Sequence, residues 1–393
     1  MFNTKDQAIH LCKALITAQS YSGSEEQAAK VITDFAEQDA FDEVSVDALG
    51  NVALVINGTI DGPTLLLDGH IDTVPVNNEH WATDPFQPVE KDGRLYGRGS
   101  SDMKGSVSAM IVAAKQFACE TEKRFPGRIV ISCSVHEETF EGVATRAVSK
   151  KFNPDVVVIG EATGLNLNRG QRGRAEVVVE TTGVSVHSAN PEKGVNAALQ
   201  MMKLLAEIEK LSAPEDPVMG KGILVLTDLV SSPYPGKSVL PSSCRATFDR
   251  RTLVNETKES VLQPIQQVIE QLKEDDLTFE AKVYYSKGTD RCYTGAAIEA
   301  ERFFPAWLYE DTADFVQKSL QALHESGIPA ELSHYSFCTN GSHFAGEADI
   351  PTIGFGPSQE NLAHIDNEYI EIDQLLKAVD GFAAIMRALL IEK

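Results

Sequence analysis

Short apolar runs that do not alternate with polar residues recur along the first part of the chain: VALVI at 52–56, TLLLDGH at 64–70, RIVISCSV at 128–135 and DVVVIGE at 155–161. Runs of this kind are too apolar to face water and predict strands buried on both faces. Around them lie segments with apolar residues at helical spacing, predicting helices at 4–20, 24–38, 104–118 and 141–152. In the third of these, Val107, Met110, Ile111, Ala114 and Phe117 form one stripe. Helices alternating with fully apolar strands predict an α/β sheet covered on both sides.

The pattern changes after residue 172. RAEVVVETTG (174–183) alternates in polarity, as a half-exposed strand does. A helix is expected at 194–211, strands near 222–230 and 242–250, a helix at 256–273 and a strand near 278–286. Two helices against four antiparallel strands make a small α+β unit. Residues 288–311 read as irregular. The first pattern then resumes with helix 312–325, strands 332–338 and 351–356, and helix 371–391. The expected division is therefore a catalytic domain at 1–172 and 293–393, interrupted by an inserted domain at 173–292.

Length and composition narrow the functional classes. The 393 residues carry 57 acidic against 35 basic groups, a formal charge of −22. A nucleic-acid binder needs a basic footprint, and an anionic membrane surface attracts basic patches, so neither partner is expected. With 42% hydrophobic residues the chain can build an ordinary core without disulfides. Six cysteines include no CxxC pair; Cys12, Cys119 and Cys133 lie in apolar surroundings and are expected to be buried thiols. The N-terminal stretch lacks a basic region followed by an apolar run, and no segment approaches the length of a membrane span. The cytoplasm is the expected compartment.

Ligands of α/β sheets gather beyond the carboxyl ends of strands. His70 follows TLLLDG, with Asp72 two residues on; Glu137 and Glu138 follow VISCSVH; Glu161 follows VVVIG. GRGSSDMKG places Asp102 just ahead of a helix, and GFGPSQENLAHIDNEY places His364 after a strand. Taken singly, each has a plain structural reading: an Asp ahead of a helix is usually an N-cap, and paired glutamates are usually solvated. Together, His70, Asp102, Glu138, Glu161 and His364 end at one edge of one sheet. Carboxylates crowded in this way repel one another unless a cation lies among them. Imidazole and carboxylate without thiolate suit zinc, with cobalt or manganese as substitutes. Two histidines and three carboxylates exceed the needs of one catalytic zinc and suit two divalent ions sharing a carboxylate.

The segments LLLDGHIDTVPV, YGRGSSDMKGS, VHEETFEGVA and IGEATG resemble the di-zinc metallopeptidase family of aminoacylases, acetylornithine deacetylase, succinyl-diaminopimelate desuccinylase and bacterial glutamate carboxypeptidases. The resemblance runs along essentially the whole chain. It implies a zinc-exopeptidase-like three-layer catalytic domain with an inserted ferredoxin-like lid and dimerisation domain. It also implies that His70 and Glu161 hold one metal, Glu138 and His364 the other, and that Asp102 bridges them. Asp72 would orient the ring of His70, and Glu137 would be the general base. Glu161, where aminopeptidase-type members tend to have Asp, favours a substrate with a free carboxylate and an acylated nitrogen.

In SVHSANPEKGVNA, His187 matches the family's oxyanion-stabilising histidine, which in dimeric relatives serves the other subunit's site. Its bland reading is a surface residue beside a helix start, with Ser188 and Asn190 as caps. Arg251, in ATFDRRTL, matches the carboxylate-binding arginine; the bland reading is a strand-end ion pair, and Arg250 is its near neighbour. Where many deacylases carry a Gly-Gly-Thr-Ser-Asp-like loop, this chain has TNGSHFAG (339–346), in which Gly341 and Ser342 are expected to offer donors to a substrate carboxylate. His343 is assigned no role. GEATGLNLNRGQRGRAE, ERFFPAWLYED and FGPSQE resemble a subgroup described as linked to selenium metabolism. The expected activity is hydrolysis of an N-acyl amino acid amide by a homodimer. A dipeptidase or carboxypeptidase is the alternative, and a non-catalytic binding protein the remote one.

Overall fold

A computed structural model describes residues 4–37 and 41–391. The chain divides into two units. The larger comprises Met1–Gln171, Thr289–Ala300 and Trp307–Lys393, and the smaller Arg172–Gly288 with Glu301–Ala306. The smaller unit lies close to the expected insertion at 173–292 and differs from it mainly at the second end. Residues 289–292 belong to the larger unit, and 301–306 return to the smaller because Phe303 and Phe304 pair with Ala175 and Arg174.

The apolar runs of the larger unit form the centre of a mixed sheet. Strand Ile60–His70 lies between Pro126–Ser134 and Val156–Ile159, parallel to both, and Thr352–Gly354 continues the parallel set. Val52–Asn57 pairs antiparallel with Pro126–Ser134, and Glu43–Val46, which carries too little pattern to be predicted, forms the edge. Leu65–Leu67, Ile129–Ile131 and Val157–Ile159 are all essentially inaccessible, as strands covered on both faces must be. On one face Leu66, Val130, Val157 and Ile159 pack with Val148 and Phe152 of helix Thr145–Phe152 and with Phe344. On the other lies helix Lys104–Thr121. Gly69 and Gly160 face it, and a Cβ on Gly69 would come within 2.7 Å of Met103 and Met110 side chains. Glycine just before His70 and Glu161 therefore lets the helix close on the strand ends that carry the two residues. The result is the three-layer architecture expected.

Helix boundaries fall within a few residues of expectation. The second helix is Glu26–Ala36, and its expected end at 38 lies outside the described residues. Residues 288–311, expected to be irregular, include the short strands Ala297–Glu301, Phe303–Phe304 and Trp307–Leu308. Cys12 and Cys133 are buried, but Cys119 is exposed, on the solvent side of the last turn of its helix; all six thiols are free.

The smaller unit is an antiparallel sheet in the order Ile223–Ser232, Ser243–Thr252, Gly173–Thr182, Glu280–Tyr285. Helices Ala197–Ile208 and Lys258–Asp275 cover one face through Met201, Leu204, Ile208, Val261, Ile265 and Ile269. Asn196 caps the first helix by accepting from the amides of Ala198 and Leu199; Ser188 and Asn190 do not cap it. Strand Ile223–Ser232 forms one edge, and Val225 and Leu229 on it remain about half exposed (50% and 51%).

Candidate metal centre

The strand ends of the larger unit bring five expected ligands together. His70 Nε2 lies 2.9 Å from Asp102 Oδ1 and 3.4 Å from Glu161 Oε1. His364 Nε2 lies 3.1 Å from Asp102 Oδ2 and 2.9 Å from Glu138 Oε2. The Asp102 carboxylate thus presents one oxygen to each imidazole, the disposition a bridging ligand needs. Met103, not Asp102, occupies the N-cap position of helix Lys104–Thr121, so the aspartate is not consumed as a cap. Ligand atoms of His70, Asp102 and Glu138, and again of His70, Glu137 and Glu161, fall within 4.8 Å of one another, close enough to hold a metal ion.

Asp72 stands behind the ring of His70. The ring Nδ1 lies 2.9 Å from the backbone carbonyl of Asp72, and the Asp72 carboxylate stands off at 3.5 Å. Nδ1–H donating to this carbonyl leaves Nε2 unprotonated for a metal. The carboxylate itself holds the next loop: Oδ1 accepts from the amide of Glu137 (3.0 Å), and Oδ2 from that of Glu138 (3.2 Å) and from the Ser22 hydroxyl (2.7 Å). The fully buried Glu25 accepts from the amide of His136 at 3.2 Å. His136 has φ +55°, a left-handed turn that ends the strand and directs the glutamates onward. Ser22 and Glu25 carried no recognisable signal, since SYSGSEE reads equally well as an ordinary helix start.

Glu137 is 6% exposed, and its Oε1 is buried without a hydrogen-bond partner. Burial pushes its carboxyl well above the ordinary value, and the neighbouring Glu161, Glu138 and Glu141 add to the effect. Burial, then the charge of Asp102, raises Glu138 to about 7 and Glu161 to about 8. Burial opposes protonation of His70, but Asp102, Asp72 and Glu161 outweigh it and hold the ring well above its usual range. Bonds to Asp102 and Glu138 raise His364 to about 10. Asp102, despite its burial, is pulled below the ordinary carboxylate range by His364 and His70. Without a cation, the cluster has to retain protons to reduce its own negative charge. Divalent ions would do the same with the imidazoles neutral and the carboxylates ionised, so the donor set fits them.

The other expected site residues have mixed fates. The donors of Gly341 and Ser342, expected to face a substrate carboxylate, are engaged inside the chain. The Gly341 amide donates to Thr339 Oγ1 (3.0 Å), the Ser342 amide to the Thr339 carbonyl (3.0 Å) and the Ser342 hydroxyl to the Glu141 carbonyl (3.2 Å). Gly341 is a packing requirement, because a Cβ there would meet Trp307 Nε1 at 2.7 Å. His343 bridges Ser149 (2.7 Å) and Glu347 (2.9 Å). In the smaller unit His187 is exposed, with Nδ1 accepting from the Ala189 amide at 3.0 Å. Arg250 is buried against Glu256 at 2.6 Å, whereas Arg251 lies at the half-exposed sheet face, 2.7 Å from Asp249. The two arginines are therefore separable: Arg250 is buried in its ion pair, whereas Arg251 is partly exposed and paired with Asp249, as its bland reading expected.

Residues 66–388 match peptidase family M20/M25/M40. An uncharacterized protein of Escherichia coli strain K12, YgeY, is 31% identical over 94% of this chain and 91% of its own length. Succinyl-diaminopimelate desuccinylase 2 of a Ruegeria species is 30% identical over 62% of this chain and 64% of its own. Among solved structures, a tripeptidase from Staphylococcus aureus superposes with a TM-score of 0.77 at 19% identity, covering 99% of both chains. Fold and site together define a hydrolase of the metallopeptidase type. The chain belongs to peptidase family M20/M25/M40.

Proposed function

We propose that the chain is a two-metal amidohydrolase that cleaves the amide bond of an N-acyl amino acid or a related small substrate bearing a carboxylate. The observation that carries the reading is the Asp102 carboxylate, set between His70 and His364 with one oxygen toward each. Beside it Glu137 keeps an unpartnered buried oxygen. His70 with Glu161, and His364 with Glu138, would each hold one ion. Zinc suits these donors best, with cobalt or manganese as substitutes.

Bound ions would polarise the amide carbonyl and lower the pKa of the attacking water. The protein does the rest. Glu137 accepts a proton from that water and returns it to the leaving nitrogen. His187, whose Nδ1 is already an acceptor, carries its proton on Nε2 when neutral, so it offers a donor suited to a developing oxyanion. Arg251 offers a planar guanidinium for a substrate carboxylate. The roles of His187 and Arg251 rest on the family resemblance. The acylated-nitrogen preference rests on Glu161 and is supported by the desuccinylase relative.

The chain is proposed to work as a homodimer. Strand Ile223–Ser232 is a long apolar edge with unpaired backbone groups, the kind of surface a second copy covers. A reducing cytoplasm suits six free cysteines. Among the described residues no helix is long and apolar enough to cross a membrane. The test is a panel of acetyl- and succinyl-amino acids and dipeptides, assayed with defined zinc, cobalt and manganese loading. Turnover of acyl-amino acids above dipeptides is expected; the reverse order would make the chain a dipeptidase, and no metal-dependent turnover would sink the reading.

A further inference from the structure

We propose that Glu368 is the residue that positions the Asp102 carboxylate between the two metal sites. The inference rests on the two-metal reading and extends it to a group that touches neither substrate nor metal.

Glu368 is completely buried, four residues beyond His364. Four N–H donors converge on its two oxygens. Oε2 accepts from Arg98 at 2.7 Å and from the amide of Gly99 at 3.1 Å. Oε1 accepts from the amides of Ser101 at 2.7 Å and Asp102 at 3.0 Å. The backbone carbonyl of Glu368 also accepts from the amide of Gly97 at 3.0 Å. The loop 97–102 thus wraps one side chain and ends at Asp102, in the manner of successive amides enclosing an anion.

The energetic logic is specific. Residues 97–102 belong to no helix or strand, and the helix that follows has no side-chain cap to fix its start. The loop amides would be costly to bury unpaired. Arg98, 3% exposed, supplies the charge that lets a carboxylate be buried at all. The same peptide segment carries His364, so one anchor joins the loop of the shared ligand to the strand-end segment of a terminal one. A bridging carboxylate tolerates little displacement, because moving one oxygen toward one imidazole moves the other away from its partner. Outer residues that hold metal ligands typically change metal affinity by roughly 10–100-fold when replaced.

Glutamine at 368 keeps the volume but offers one oxygen in place of two. Its amino group would face either the Arg98 and Gly99 donors or those of Ser101 and Asp102. Aspartate keeps both oxygens and the charge on a stem one methylene shorter. The test measures zinc stoichiometry and affinity by titration of the metal-free full-length chain, with thermal melting of each variant alongside. Cobalt(II) loading then reports whether the two ions are magnetically coupled through a shared ligand.

Glu368→Gln is expected to stay folded, to bind one ion near wild-type affinity and the second about 10–100-fold more weakly, and to lose the coupling. Glu368→Asp is expected to recover part of both. A folded Glu368→Gln protein that binds two coupled ions at wild-type affinity would overturn the proposal. If neither variant folds, hydrogen exchange on the metal-free wild type decides. The amides of Gly99, Ser101 and Asp102 should stay protected without metal, and protection that appears only on zinc addition would mean that metal, and not Glu368, holds the loop. Wild-type protein that binds fewer than two ions would sink the two-metal reading instead, and the exchange result would still decide the role of Glu368.

Discussion

Glutamine at position 137 gives the sharpest test of the chemistry. Glu137 is 6% exposed and one of its oxygens has no partner, so an amide of equal size fits without breaking a bond to that atom. Its backbone N–H remains on Asp72, which also holds the amide of Glu138. The neighbouring ligand therefore keeps its place while the proton acceptor is lost. General-base catalysis contributes on the order of 10²–10⁴ in rate, or about 2.7–5.4 kcal/mol of barrier at roughly 1.36 kcal/mol per tenfold. The expected result is a fall of at least about a hundredfold in kcat, with KM changed little. Metal content measured on the same samples should remain two ions per chain. Comparable turnover in the two proteins would refute the assignment of Glu137. Loss of metal along with activity would place Glu137 among the ligands.

Metal removal should reverse the pH dependence of stability. In the metal-free chain Glu138 and Glu161 hold protons up to about 7 and about 8, against an ordinary 4.5. The folded state then binds more protons than the unfolded one, so these groups cost stability as pH rises from near 4.5 through that range. His364, raised from 6.5 to about 10, contributes stability that is whole below 6.5 and lost as pH climbs through 10. Zinc displaces such protons, so the melting-temperature gain on zinc addition should grow between pH 5 and pH 8; a gain independent of pH would contradict the cluster. Arg250→Met should destabilise the chain by about 3–5 kcal/mol in denaturant unfolding, because Glu256 is left unpaired and largely buried. Arg251→Met should leave stability nearly unchanged and raise KM for carboxylate substrates; equal effects of the two would refute their separation. Leu229→Lys should shift the sedimenting species from dimer to monomer by placing a charge on the apolar edge, and an unchanged dimer would exclude that edge as the interface.

Residues that act where a strand stops were legible in the sequence. Apolar runs mark the strands, and His70, Glu137, Glu138 and Glu161 follow them directly, so position along the chain stands in for position in space. The supporting groups follow no such rule. Ser22 acts through the Asp72 carboxylate 50 positions away, Glu25 through an amide 111 away and Glu368 through amides 266 and 267 away, and nothing in their own neighbourhoods distinguishes them from caps or solvated acids. Gly341 shows what a loop sequence hides. A glycine in a loop beside the site suggested an open backbone, whereas its freedom from a side chain serves the indole of Trp307. The return of 301–306 to the smaller unit went unread for a related reason. Phe303 and Phe304 form a strand of only two residues, too short to register as a pattern, yet it decides where six residues belong.

That short strand has a practical consequence for anyone wishing to trim the enzyme. Cutting out 172–288 and sealing the gap would remove the strand that Phe303 and Phe304 pair with, while leaving both rings in the product. They are now 8% and 1% accessible, and in the truncated chain they would become a newly bared aromatic patch, a seed for aggregation. A minimal metal-binding fragment accordingly calls for two excisions and two splices, at 171/289 and at 300/307, with the piece 289–300 retained between them.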